Sequence, residues 1–143
     1  RIYLVSTSIQ GTGDGRDILI AIENVNSGGG NDIITGNNSA NSLNGGNGND
    51  TLNGRNGNDT LYGGNGFDTI TGGAGNDIFQ INTGAGRDVI TDYGTGNDRI
   101  ELLSGLTGND LSFSYAGGHT KIWNDNDLLA IVENTVAADI TFI

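Results

Sequence analysis

Large apolar residues recur every nine positions through the middle of the chain: Leu52, Leu61, Ile70 and Phe79, with Ile34 and Leu43 in the same frame before them. Nine residues make two and a half helical turns, so a helix would throw successive members of the set onto opposite faces. Short strands fit. The segments D-T-L-N, D-T-L-Y, D-T-I-T and D-I-F-Q are rich in β-branched and apolar residues, and glycine-rich stretches separate them. The pattern predicts strands of about three or four residues, each followed by a turn. Two such units close one coil of a flattened, right-handed parallel β-roll with two facing sheets. The apolar residue of each unit points inward, and one unit cannot bury it alone, so the coils must stack.

Residues 45–80 hold four of these units with no insertion between them: GGNGNDTLN, GRNGNDTLY, GGNGFDTIT and GGAGNDIFQ. Glycine opens each unit and recurs at its fourth place, and aspartate holds the sixth: Asp50, Asp59, Asp68 and Asp77. With two units per coil, one edge of the roll carries Asp32, Asp50 and Asp68, and the other carries Asn41, Asp59 and Asp77. Neighbours in such a column lie roughly 4.8 Å apart along the stack. Carboxylates at that distance repel by about 3 kcal/mol per pair at an effective dielectric near 20. Cations are needed to hold them. Aspartate oxygens and turn carbonyls make an all-oxygen set, which suits calcium better than the smaller, octahedral magnesium. Turn-forming asparagines and aspartates explain one such turn, but not the same place filled in four consecutive units.

Composition narrows the choice. The net charge is −11, which argues against nucleic acid or an anionic membrane as partner. The chain has no cysteine and one histidine, so zinc and copper have little to bind and no disulfide braces the fold. Glycine accounts for 26 of 143 residues and proline for none, as expected where turns need free φ and every strand donates to a ladder. With only 34% hydrophobic residues, ion binding is expected to supply much of the folding free energy. No apolar run reaches membrane-spanning length. No signal-peptide core follows Arg1, and without an initiating methionine the chain reads as a piece of something larger.

In chain order, three regions are expected: 1–26, 27–100 and 101–143. The first holds a strand over residues 1–9 and an irregular early unit in which Gly15, Asp17 and Leu19 fit the frame. An apolar stretch over residues 18–25 follows, broken at Glu23-Asn24. The second is the roll. Residues 27–35 form a unit with serine in first place; residues 36–44 form a degenerate one with Asn41 for aspartate. After Gln80 the period widens, and Asp88 and Asp98 sit in G-x-G-x-D cores of longer coils. The third is a non-repeating β cap over the open end. In it residues 111–115 alternate as a half-buried strand, residues 116–119 turn, residues 120–123 return, and residues 128–132 and 140–143 add apolar strands. Trp123 and the tyrosines are expected in the cap core.

Over residues 27–100 the sequence resembles the RTX, or haemolysin-type, calcium-binding β-roll. The tail, with Leu128-Leu129-Ala130-Ile131-Val132 and a terminal Ala138-Asp139-Ile140-Thr141-Phe142-Ile143, is similar to the C-terminal ends of such proteins. The resemblance implies that Asp32, Asp50, Asp59, Asp68 and Asp77 are side-chain ligands. Gly46, Gly48, Gly64, Gly66, Gly73 and Gly75 would offer carbonyls, and Asn41, Asp88 and Asp98 would add weaker places. About three to six Ca2+ ions follow from that set. The resemblance further implies a secreted, extracellular or cell-surface protein, exported unfolded by type I secretion and folded outside by calcium. Arg55 departs from the glycine pair that opens its neighbours.

Two other functions compete. A carbohydrate-binding module for an anionic polysaccharide would use Arg55, Tyr62, Arg87, Arg99 and Lys121, which would have to line up as a basic stripe. An enzyme would need a nucleophile or acid–base motif. None is present, His119 falls in an expected turn, and no catalytic residue is assigned.

Overall fold

Residues 18 apart in sequence are hydrogen-bonded neighbours in space. Leu43 pairs with Leu61, and Leu52 with Ile70, in parallel register. The computed structural model describes residues 9–10, 15–84 and 86–143. The expected strand over residues 1–9, apart from its last residue, lies outside the described residues, as do Gly13 and Asp14.

One sheet takes every second strand: β1 (Ile9–Gln10), β3 (Asn24–Asn26), β5 (Ser42–Asn47), β7 (Thr60–Asn65), β9 (Ile78–Ile81) and β11 (Arg99–Leu102). The other takes β2 (Ile18–Ile22), β4 (Ile33–Gly36), β6 (Thr51–Asn56), β8 (Thr69–Ala74) and β10 (Asp88–Ile90), all parallel to their neighbours. It is then extended by β14 (Asp127–Val132), β13 (His119–Asn124) and β12 (Leu111–Ala116), the last two joined antiparallel. The result is an all-β parallel solenoid.

The eighth residue of each unit forms the core. Ile34, Leu52, Ile70 and Ile90 stack in one sheet against Val25, Leu43, Leu61, Phe79 and Ile100 in the other, all buried. Each such side chain contributes roughly 2 kcal/mol of burial, but only once its neighbouring coil is in place. The apolar stretch at residues 18–25 proves to be two strands in opposite sheets. Glu23 turns the corner between them.

Three expectations need correction. The full strands are six residues long, because the ladder continues through the opening glycine pair: Gly46 pairs with Gly64, and Arg55 with Gly73. The turn is confined to the fourth to sixth places. Secondly, the alternating strand β12 is not half-buried. Phe113 is 41% and Tyr115 58% exposed, because the longer sheet overhangs the shorter and its last strand is covered only in part, by Phe142 against Phe113 with ring centroids 5.8 Å apart. Thirdly, Trp123 is only half-buried, held by its indole N–H to Ser114. The tyrosine that does reach the core is Tyr93, packed against Phe79 with ring centroids 6.1 Å apart. The turn between β12 and β13 is as expected, with Gly117 and Gly118 both at positive φ.

Arg55 adopts φ 80, the same left-handed conformation as Gly46, Gly64 and Gly73 at the equivalent place. The repeat geometry therefore wins over the side chain's preference, and the cost falls on the backbone. Arg55→Gly is expected to stabilise the calcium-loaded protein by about 1 kcal/mol. A thermal melt checks it; an unchanged or lower midpoint would show that the arginine side chain compensates for its backbone.

Candidate metal centre

The sixth-place residues form two buried columns. On the first edge, the N–H of Asp17 donates to Asp32 Oδ1, that of Asp32 to Asp50 Oδ1, and that of Asp50 to Asp68 Oδ1, each at 2.7 Å. Asp88 continues the column in contact with the Asp68 side chain. On the second edge, the N–H of Asn41 donates to Asp59 Oδ1 (2.7 Å), Asp59 to Asp77 Oδ1 (2.9 Å) and Asp77 to Asp98 Oδ1 (2.9 Å). The structure thus brings every sixth-place candidate into one column or the other.

Each aspartate uses one oxygen to bind the preceding coil. The other is left over. Asp32, Asp50, Asp59, Asp68 and Asp77 each have a fully buried Oδ2 with no hydrogen-bond partner, and Asn41 has the same at Oδ1. Buried acceptors without partners are rare and costly. Here they recur at one place in successive units.

These oxygens lie against the opening glycine of their own unit. A Cβ on Gly45 would meet Asp50 Oδ2 at 2.4 Å, one on Gly54 would meet Asp59 Oδ2 at 2.2 Å, and one on Gly72 would meet Asp77 Oδ2 at 2.4 Å. The first glycine is therefore required by proximity to the carboxylate five residues later.

Burial without a counter-charge disfavours ionisation. It pushes Asp50 up to about 7 and Asp59 to about 6, with carboxylates on the adjoining coils adding repulsion. Asp68, Asp77 and Asp88 are raised for the same leading reason. A cation beside these oxygens would reverse the effect.

The carbonyl candidates are partly occupied. The second- and fourth-place glycines Gly46, Gly48, Gly64, Gly66, Gly73 and Gly75 all have positive φ and sit directly against the glycine or arginine one coil back. The Gly66 carbonyl accepts the N–H of Arg87, leaving one lone pair. Among the described residues no three His, Cys, Asp or Glu side chains converge on one point. Any ion held here would therefore combine paired carboxylates with backbone oxygens. The set fits calcium, a hard ion that accepts irregular oxygen cages.

Sequence reasoning missed two features. Asp92 takes the N–H groups of Gly72 (2.9 Å) and Gly73 (2.7 Å) where the short β10 supplies no partner; outside the repeat frame, nothing in the sequence marks it. Fifth-place asparagines build a second ladder of the opposite sense, with Asn49 N–H on Asn31 and Phe67 N–H on Asn49. Their nine-residue recurrence was visible but reads equally well as turn chemistry. Asp17 belongs to the first column, as its frame allowed. Beside Asp77 and Asp98 a cleft of ≈ 510 Å³ is lined also by Tyr93, Arg99 and Asp139.

The other candidates are not gathered. Arg55 lies in β6, Tyr62 in β7, Arg87 precedes β10 over the Phe67 ring (5.5 Å), Arg99 opens β11 and Lys121 sits in β13. They are spread over both sheets and form no single stripe. His119 Nδ1 accepts the N–H of Asn134 at 3.2 Å. No helix among the described residues is long and apolar enough to cross a membrane.

Residues 26–61 and 53–90 match the RTX calcium-binding nonapeptide repeat (four copies). No curated protein matches the chain. Among solved structures, the chain is similar to the R3 subunit of the Azotobacter vinelandii mannuronan C5-epimerase AlgE6. Identity is 25% and the TM-score 0.59, over 91% of this chain and 78% of that one. The R2 subunit of the same enzyme, at 22% identity and TM-score 0.56 over 94% and 88%, shares the fold. Coiled register, aspartate columns and repeat match agree: residues 26–90 are RTX calcium-binding nonapeptide repeats, and they form a calcium-binding module.

Proposed function

We propose that this chain is the calcium-driven folding module of a protein exported by type I secretion, and that it folds outside the cell. The observation that carries the reading is the row of buried, unpartnered oxygens on Asp32, Asp50, Asp59, Asp68 and Asp77. Those five are the side-chain ligands, with Asp88 and Asp98 extending the columns. Asn41 offers a neutral oxygen. Carbonyls of Gly46, Gly48, Gly64, Gly66, Gly73 and Gly75 complete the cages, for about three to six ions.

Calcium supplies the positive charge that lets the carboxylates stay ionised inside the fold. The chain's own contribution is the spacing. The backbone N–H of each sixth-place residue fixes one oxygen of the next aspartate and leaves the second free. In a cytosol poor in calcium, a chain with 26 glycines and no disulfide stays open. At the ~10⁻⁴ to 10⁻³ M affinity of extracellular modules it closes on exit. The repeats bind rather than catalyse, so any reaction belongs to other parts of the parent protein.

A far-UV circular dichroism titration tests this, from EGTA to about 10 mM Ca2+, with Mg2+ as control. A coil-to-β transition with calcium alone is expected. A β spectrum that persists in EGTA would remove the switch. The alternative, a module binding an anionic polysaccharide, draws on the similarity to epimerase subunits. The scattering of Arg55, Tyr62, Arg87, Arg99 and Lys121 speaks against it. Binding to a polyuronate that survives alanine at all five would show that these residues are not the site.

A further inference from the structure

The two edges carry the same motif but not the same column. On the first edge every described member is a carboxylate: Asp17, Asp32, Asp50, Asp68 and Asp88, each at most 6% exposed. On the second edge the members are Asn41, Asp59, Asp77 and Asp98. Asn24 pairs with Ser42, so the residue beneath Asn41 is Glu23.

Asn41 interrupts its column. An ionised carboxylate has two acceptor oxygens, one for the N–H of the coil below and one for a cation. An amide has one oxygen. Asn41 donates from Nδ2 to Asn37 Oδ1 (3.1 Å) and turns Oδ1 into the buried place against Gly36, where it has no partner. The ladder bond from the Glu23 N–H is therefore not made. Rotating the amide would restore that bond, but it would turn an NH₂ donor toward the ion's position. Either way this place lacks the second oxygen and the charge.

We infer that the two edges are unequal cation columns. The first has four adjoining carboxylate pairs (17/32, 32/50, 50/68 and 68/88), the second has two (59/77 and 77/98), and Asn41 ends the second. The inference rests on the calcium reading above. It adds that ions load preferentially along the first edge, and that the N-terminal coils are held from one side.

The slope of log folding constant against log [Ca2+] counts the ions taken up on folding, so it reads each column directly. Asn41→Asp is isosteric and is expected to raise the slope by about one and to lower the calcium midpoint. Asp50→Asn touches two pairs and is expected to lower the slope by about two, whereas Asp59→Asn touches one and lowers it by about one. A wild-type slope above zero, left unchanged by Asn41→Asp and lowered equally by the two Asp→Asn variants, overturns this inference alone. A wild-type slope of zero overturns the calcium reading and this inference with it.

Discussion

Gly63→Ala is expected to abolish calcium-driven folding, or nearly so, although it adds a single methyl group. Gly63 opens the unit that contains Asp68. Its φ lies outside the left-handed region, so backbone conformation does not require glycine there. Space does. An added Cβ would stand 2.2 Å from Asp68 Oδ2, 2.6 Å from Asp68 Cβ and 2.7 Å from Asp68 Cγ. The carboxylate cannot swing away as a unit, because its Cβ is part of the clash. Any escape must move the strand, and with it the ladder bond from Asp50.

Overpacking at a site this rigid costs about 3 kcal/mol, and here it also displaces the oxygen a cation needs. Gly84→Ala is the control. Gly84 has φ +67 and nothing within 4 Å of its would-be Cβ, so only backbone strain of about 1 kcal/mol applies. Urea unfolding at saturating calcium separates the two. Equal midpoints for both variants would show that the added methyl is accommodated and that contact with Asp68 does not demand glycine at the first place.

That contrast marks what the sequence makes legible. A nine-residue period with one apolar and one acidic place per unit can be satisfied only by coils of two units. The columns Asp32–Asp50–Asp68 and Asn41–Asp59–Asp77 therefore follow from counting. The reason for the first glycine does not. It depends on which way the Asp68 side chain leans, and a turn-forming explanation is always at hand for glycine.

Alternation in residues 111–115 identified a strand and its apolar face but not whether anything covers that face. Among the described residues one sheet has eight strands and the other six, so Tyr115 is left exposed and Phe113 is covered only in part, by the Phe142 ring. Asp92 was invisible for a related reason. It satisfies Gly72 and Gly73 where the regular ladder ends, and a repeat frame predicts nothing at its own boundary. Arg55 shows the converse: its place in the repeat, paired with Gly73, fixes its backbone at φ 80 whatever its side chain prefers.

Mild acid is expected to favour the folded form of the metal-free chain and to weaken its hold on calcium. Burial raises Asp50 from 3.8 to about 7 and Asp59 from 3.8 to about 6. A carboxyl whose folded value exceeds its unfolded value binds its proton more tightly in the fold. Its contribution to stability is complete below the unfolded value and is lost as pH rises through the folded one. This is the reverse of a salt-bridged aspartate. In EGTA, β structure should therefore grow as pH falls from 8 to about 5.

General relief of the −11 charge acts in the same direction, but it sets in near the ordinary carboxylate range, about 4. A transition centred between about 6 and 7 belongs to the ladder. With calcium present the sign inverts, since ion and proton compete for one oxygen, and the calcium midpoint should rise as pH falls across the same window. Far-UV ellipticity in EGTA and the calcium midpoint, each followed from pH 8 to 5, check both halves. A flat EGTA profile above pH 5, with a midpoint that does not move, would mean that the buried oxygens of Asp50 and Asp59 are solvated in the metal-free chain and that its ladder forms only with the ion.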